Sequence, residues 1–397
     1  MANKTNTNKM HFAKLERFAT PLLSYKEKSD GKYVRSGNDN NFPQHIIELY
    51  NRSSIHAAAV NAIVEAIVGE GLTANQETFL DKANHHNETW NDIFNKAALD
   101  FYLHGSFSLE IIWSRDRSKI AEAYHIDFST IRAQEKDHRG HIPGYYISEE
   151  WKKYSEVGED VHYLPVFNPM LKQDQPSQIF VSKSYRPGQQ YYPLPVYMGA
   201  LKVIELDTAV DSWHVSNINN GLAPSLAITT FMGASVDDVR VVEESLRANY
   251  GGTENAGSLL YMDVDSPENA PKIEPIPQNG ADSYYSDLND MTIQKILTAH
   301  RITSPMLLGI KTEGQLGGRE EMIDAMLLFQ HNVVQPLQQD ILRSFETILE
   351  VNYPDIVIGV DTKQLFEDGT TQEEVVTSVE VTEQEDADIN EENNPLI

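Results

Sequence analysis

The sequence predicts an α+β fold. Long segments carry an apolar residue every three or four positions, the period of a helix with one buried face. Shorter segments alternate apolar and polar residues between glycines and prolines, as strands do. With 40% hydrophobic and 23% charged residues over 397 positions, the chain can bury a real core in two or three domains.

Residues 1–49 read as a polar N-terminal arm, with a turn at Ser29-Asp30-Gly31 and a loop over 37–43; regular structure is expected from about Asn51. Ile55, Ala58, Ala59, Ala62, Ile63, Ala66 and Ile67 then mark an amphipathic helix, and Gly69 suits its C-terminal cap. Trp90, Ile93, Phe94, Ala97, Ala98 and Phe101 mark a second. Gly105 breaks that pattern, and Phe107, Leu109, Ile111 and Trp113 alternate with Ser108 and Glu110 as a strand. Further strands are expected within 123–133, 142–148 and 178–183, with Pro165, Pro169 and Pro176 in the connecting loops. Residues 50–194 therefore read as one α+β domain.

Pro195 can stand in a first helical turn, where its missing N–H would be unpaired anyway. A long helix is expected over 195–222, stopped by Asn219-Asn220-Gly221, and is roughly 35 Å long at 1.5 Å per residue. Residues 223–280 read as a compact β-α-β-β insert. Its strands are "SLAITTF", "GSLLYMDVD" and "PKIEPI", and its helix opens at Ser235 and closes at Gly251-Gly252. A second long helix occupies 281–306, with Tyr284, Tyr285, Leu288, Met291, Ile296 and Leu297 on its apolar side and Ser304-Pro305 as its stop. The glycine-rich loop 307–319 leads into residues 320–365. There Met322, Met326, Phe329, Val333, Leu337, Ile341, Phe345 and Ile348 form the apolar stripe of a third long helix, with a kink expected at Pro336. "DIVIGV" is a final strand. Residues 366–397 hold eleven acidic and no basic residues, and predict a disordered tail.

The chemistry search excludes more than it finds. A net charge of −27 argues against general binding to DNA phosphates or anionic lipid. The absence of cysteine excludes disulfides, thiolate zinc sites and cysteine nucleophiles. No run of 18 apolar residues exists and no apolar segment follows the polar "MANKTNTNKM", so a soluble protein made in a cytoplasm is expected. Gly309–Gly318 is followed by Arg319-Glu320 and lacks a phosphate-cradling lysine. His85-His86 are adjacent and cannot share a helix face, and Glu268 replaces the glycine a calcium loop needs after Asp263 and Asp265. His104-Gly105-Ser106 lacks the glycine pattern of a nucleophile elbow. Tyr191-Tyr192 reads as turn or interface aromatics. No catalytic residue, metal site or cofactor is predicted. Two rods bracketing an insert suit either a ring in which neighbours bury the rods or a helical domain folding back on itself.

The order of segments resembles the tailed-phage portal family over about residues 50–350. "SSIHAAAVNAIVEAIVGEGL" resembles its N-terminal helix, and "YLHGSFSLEIIW" its Y-G-N-A-(F/Y)-x-E passage from helix to strand, with Ser106 where Asn or Ala is common. "YYPLPVYMGALKVIELD" resembles the Y-G-x-P approach to the stem without its glycine. "NINNGLAPS" resembles the F-x-N-G-x-x-P exit to the clip. "IQKILTAHRITSPMLLGI" resembles the stretch that ends the stem, with Thr303-Ser304-Pro305 in place of a double proline. "GGREEMIDAMLLFQHNVVQPLQQDI" resembles the long helix after the tunnel loop.

The resemblance implies a structural, non-enzymatic protein of the virion, assembled in the bacterial host cytoplasm as a homo-oligomeric ring, usually a dodecamer, at one capsid vertex. Double-stranded DNA would pass non-specifically through its channel. The major capsid protein, terminase and a head-to-tail connector or adaptor would be its partners. It implies a wing over 50–194, stem helices at 195–222 and 281–306, a clip at 223–280, a tunnel loop at 307–319 and a short crown region at the C-terminal end. Lys311, Thr312, Gln315, Leu316, Gly317, Gly318 and Arg319 would line or border the tunnel; packing between subunits or a salt bridge of Arg319 is the alternative. Glu205, Asp207, Asp211, Asp287 and Asp290 would form an acidic channel wall that keeps DNA central, or else be exterior helix charge. The competing functions are a minor head-completion or adaptor protein without a channel, and an unrelated hydrolase.

Overall fold

Pro43 sits in the first turn of a helix that the sequence reading leaves as a loop. The computed structural model describes residues 27–29, 32–76, 80–151, 161–171, 175–220, 224–230, 258–263, 281–302, 304–308 and 319–362. A short antiparallel pair, β1 (Lys28–Ser29) and β2 (Val34–Arg35), brackets the expected turn. Helix α1 (Phe42–Arg52) follows and buries Phe42, Ile46 and Leu49 in the main core. The expected arm boundary at residue 49 is therefore corrected, since it cuts a helix of the body. The asparagines and the proline ahead of it signal a loop, and the helix draws its stability from packing rather than propensity.

Ser53 caps α2 (Ser54–Val68), its hydroxyl accepting the His56 N–H at 3.2 Å. The buried face of α2 is His56, Ala59, Val60, Ile63, Val64 and Ile67, one residue round from the expected stripe. Strand β3 (Gly71–Ala74) comes next. Helix α3 (Trp90–His104) is opened by a capping box between Thr89 and Asp92 and buries all six expected apolar positions. Gly105 ends it at φ 75°, and a Cβ there would stand 2.9 Å from the Leu194 carbonyl. Only glycine meets both conditions.

Beyond Gly105 the chain runs straight into β4 (Ser106–Trp113), the centre of an antiparallel sheet with β5 (Ile120–Ile126) and β9 (Ser177–Lys183). Strands β6 (Ile131–Ala133), β7 (Gly144–Ile147) and β8 (His162–Pro165) make a second antiparallel sheet. Pro165 thus ends an edge strand, where an absent N–H is tolerated, instead of lying in a loop. A small second core joins Val34, Phe128, Ile131, Ala133, Tyr145, Ile179 and Tyr192. Tyr191-Tyr192 serve as fasteners: the Tyr192 hydroxyl accepts the Ala133 N–H at 2.9 Å and donates to the Val34 carbonyl. The Glu27 carboxylate accepts the N–H groups of Gln190, Tyr191 and Tyr192, tying β1 to the same loop. Arg132 is fully buried. Its guanidinium donates to Asn40 Oδ1 at 2.7 Å and to the carbonyls of Ser129 and Ile131 at 2.8 and 2.7 Å, and lies over Trp151. It fixes Asn40, whose φ is 64°, just ahead of α1.

A 3-10 turn, Met198–Ala200, starts the first rod, α4 (Leu201–Asn220). Strands β10 (Pro224–Thr230) and β11 (Ser258–Asp263) pair in parallel, so the two are not a hairpin. The insert's helix at 235–250 and its third strand, "PKIEPI", lie outside the described residues, as does the acidic tail. The second rod is α5 (Ala281–Ala299). It stops ahead of Ser304-Pro305, with Arg301 at φ 58° closing its end. Helix α6 (Arg319–Phe329), a π-helical turn at Gln330–Val334 and α7 (Gln335–Leu349) form the third long helix. The expected disturbance at Pro336 takes the form of that π turn, which accommodates a proline lacking its N–H. Strand β12 (Ile358–Asp361) returns to pair antiparallel with β3. Gly69 passes so close to it that a Cβ would meet the Asp361 carbonyl.

Candidate functional site

The two rods are joined to the body by apolar and polar contacts at their inner ends. Leu201 and Ile204 of α4 and Ile296 and Leu297 of α5 enter the main core together with Ala59, Val60 and Ile63 of α2. Burial of such side chains contributes about 1.5–3 kcal/mol each, enough to fix the inner ends of both helices.

Polar side chains from distant parts of the chain meet in the same region. His56 Nδ1 stands 2.9 Å from His300 Nε2, and His300 Nδ1 stands 2.8 Å from the Tyr102 hydroxyl. The Tyr197 ring packs on both imidazoles, with centroids 4.7 and 4.8 Å away, and its hydroxyl donates to the Leu103 carbonyl at 3.0 Å. His56 is 0% and His300 1% exposed. Burial lowers the His56 pKa to about 4, and burial with the neighbouring His56 lowers that of His300 to about 3, so both rings are neutral at pH 7. Such rings, shut away from solvent, make a joint and not an acid–base pair. Among the described residues no group of three His, Asp or Glu could hold a metal ion. His85 of the adjacent pair faces Glu122 at 3.0 Å. No described helix is long and apolar enough to cross a membrane.

The proposed acidic wall divides. Asp207 is 7% exposed and accepts the Ser53 hydroxyl at 2.7 Å. It faces the chain's own α2 cap, which removes it from any exposed wall. Burial raises its pKa against the opposing pull of the Ser53 hydrogen bond. The physical reason is helical phase: Asp207 shares the inward face of α4 with Ile204 and Thr208. Glu205 is half-buried and lies 3.3 Å from His45 Nε2. Asp211 and Asp290 are exposed. Asp287 stands on α5, and nothing is described of its side chain.

Residues 73–380 match the family model described as "Phage portal protein", more than three quarters of the chain. The chain belongs to the phage portal protein family. Among curated proteins, the probable portal protein of Haemophilus phage HP1 is 23% identical over 185 residues, 46% of this chain and 52% of that protein. The match therefore spans about half the length of that relative. Among solved structures, a chain of the virion of the native gene transfer agent (GTA) particle aligns at TM-score 0.55 and 17% identity, covering 88% of this chain and 91% of that one. A chain from the neck of the native GTA particle, computed with C12 symmetry, aligns at TM-score 0.52 and 16% identity over the same shares. At these identities the likeness shows the fold.

The residues expected to line or border a tunnel, Lys311, Thr312, Gln315, Leu316, Gly317 and Gly318, lie outside the described residues. Arg319 begins α6, and nothing is described of its side chain. The site residues that sequence reading missed are those of the joint: His56, Tyr102, Tyr197 and His300. One signal was available. His56 precedes Val60, Ile63 and Ile67 at helical spacing, so a histidine occupies a core register. Its partner, 244 positions away, carries the same mark, following Ile293, Ile296 and Leu297 at helical spacing, but nothing in the residue order pairs the two.

Proposed function

We propose that this portal protein assembles as a ring of about a dozen copies at one vertex of a phage-like capsid, the number taken from the C12 symmetry of the GTA neck. Double-stranded DNA passes through the centre of the ring during packaging and ejection. The observation that carries the reading is a body that buries the inner ends of two rods in its core, with exposed apolar side chains farther along the helices. Val215 on α4 and Met291 on α5 are 57% and 44% exposed, and Leu327 and Leu328 on α6 are 61% and 56% exposed. Neighbouring copies would cover these side chains in a closed ring. Exposed Asp211 and Asp290 then present negative charge that repels phosphates and lets DNA slide. Residues 309–319 form the constriction, and 223–280 dock terminase first and a neck adaptor later. The role is structural, with a separate ATPase driving the DNA.

Native mass spectrometry with negative-stain microscopy of the full-length protein tests this. Annular particles with a stain-filled hole and about twelve subunits support it. A monomer that persists at high concentration and with capsid partners present overturns it. Replacing Gly317 and Gly318 by Val tests the constriction separately, because rings should still form while packaging fails. Normal packaging by that variant removes the loop from the channel.

A further inference from the structure

We propose that His56, His300 and Tyr102 form a proton-operated latch at the inner end of the second rod: neutral imidazoles hold α5 to the body, and proton uptake from solvent releases it.

The argument is first geometric. Nitrogens 2.9 Å apart hold a single hydrogen between them. The Tyr102 hydroxyl donates to His300 Nδ1, and His300 Nε2–H donates to His56 Nδ1. That order satisfies every facing atom and leaves one group over, His56 Nε2, which is buried with no partner among the described residues. A first added proton can be taken by reversing the tyrosine hydroxyl, so that His300 Nδ1–H donates to it. A second puts two N–H groups face to face, where no acceptor exists. The joint therefore has hydrogen bonds for its neutral and singly protonated states and none for the doubly protonated one.

Among the described residues no carboxylate is hydrogen-bonded to either imidazole. Tyr197, ahead of α4, offers ring edges and spends its hydroxyl on the Leu103 carbonyl. Asp207 of α4 accepts from Ser53 and hydrogen-bonds neither imidazole. His45 of α1 and Glu205 of α4 pair with each other. Arg301, next to His300, adds positive charge close to Tyr102. The 3-10 turn Pro305–Leu308, packed on α2, has no titratable group, and His331 of the π turn is exposed.

The position gives the latch its meaning. His56 and Tyr102 belong to the helices α2 and α3 of the body, whereas His300 ends a rod. Between them the hydrogen bonds span 244 and 198 residues of sequence. Opening the contact removes the hydrogen bonds that join the end of α5 to α2 and α3 and leaves Ile296 and Leu297 as its apolar hold on the body. The sign follows from lowered pKa values: the closed state takes protons near pH 4 and below, and an open or unfolded ring near pH 6.5. The closed state is fully favoured above pH 6.5 and loses ground as the pH falls toward 4.

Hydrogen exchange of the full-length protein, corrected for the intrinsic pH dependence of exchange, tests the latch. Protection of residues 293–302 is expected to fall about 100-fold between pH 7.5 and 5.5 for two protons taken up. The double variant His56→Gln, His300→Gln should show a flat profile there, and His104→Gln, which removes a buried histidine of α3 outside the latch, should keep the wild-type profile. Protection that is pH-independent in the wild type, or an unchanged fall in the double variant, overturns the proposal. Histidine C2–H exchange on the wild-type protein decides the matter without any variant. Midpoints below pH 5 for both rings support the latch, and midpoints near the ordinary 6.5 overturn it.

Discussion

Asp207 and Asp211 stand one turn apart on α4, and their surroundings differ completely. The inner half of the helix buries Leu201, Ile204, Asp207 and Thr208 against the body, while Asp211, Ser212, His214 and Val215 of the outer half are exposed. Core packing holds the first half in place, whereas in the second half Ser212, itself exposed, accepts a hydrogen bond from Arg52 of α1 at 3.2 Å. A carboxylate in the first half spends a hydrogen bond on the cap of α2. One in the second half is free to shape a field. An acidic stripe on a rod is thus two populations, and only the outer one can face a channel.

The comparison can be tested from its strongest side down. Phe345 of α7 is fully buried against Trp90, Phe94 and Phe107, so Phe345→Ala should cost about 3–5 kcal/mol in denaturant unfolding. A loss below 1 kcal/mol would mean that α7 is no part of the body that anchors the rods. Gly105→Ala places a methyl group against the Leu194 carbonyl at a left-handed φ, and about 1–3 kcal/mol should be lost. The protein should unfold at a lower temperature with the fold intact.

Asp207→Asn probes the inner half directly. A carboxyl whose folded pKa is raised above its unfolded value contributes stability below the unfolded value and loses it as the pH rises through the folded one. The neutral amide should therefore stabilise the fold at pH 7, by about 1 kcal/mol or less and seen as a higher Tm, and change little near pH 3. A large drop at pH 7 would show that the ionised carboxylate is needed. Asp211→Asn and Leu328→Ala, both on exposed faces, should move subunit stability by less than about 0.5 kcal/mol. If Asp211→Asn shifted Tm as far as Asp207→Asn, the division of α4 into halves would fall. In a ring assay the order should reverse, with Leu328→Ala weakening assembly most.

Several features could be read from residue order because the forces are local. Helix α3 and its stripe, the Gly105 break, the strand through Trp113 and the spacing from Phe329 to Ile348 are all written in periodicity and caps. Three features could not. Helix α1 lay hidden behind Asn-rich and proline signals that mimic a loop. The face of α2 turned by one residue because its alanines bury equally well in either direction. Asp207 looked like its neighbours on the rod, since the Ser53 hydroxyl that claims it is 154 positions away. Residues 309–318 and most of the insert lie outside the described residues, so their roles rest on the proposed function.

The sequence by itself determined the class of fold, the two rods, the interruption of the last long helix beside Pro336 and the segment order that resembles portal proteins, later supported by the family match. Each follows from the period of apolar residues or from a backbone that only glycine or proline permits, and neither depends on what lies across the chain. Tertiary structure alone decided which acids point outward and which histidines meet. Those outcomes depend on the rotation of one helix against another, where a hundred degrees moves a side chain from water into the core. His56 and His300 become a pair only because α2, α3 and the end of α5 close on the same small volume.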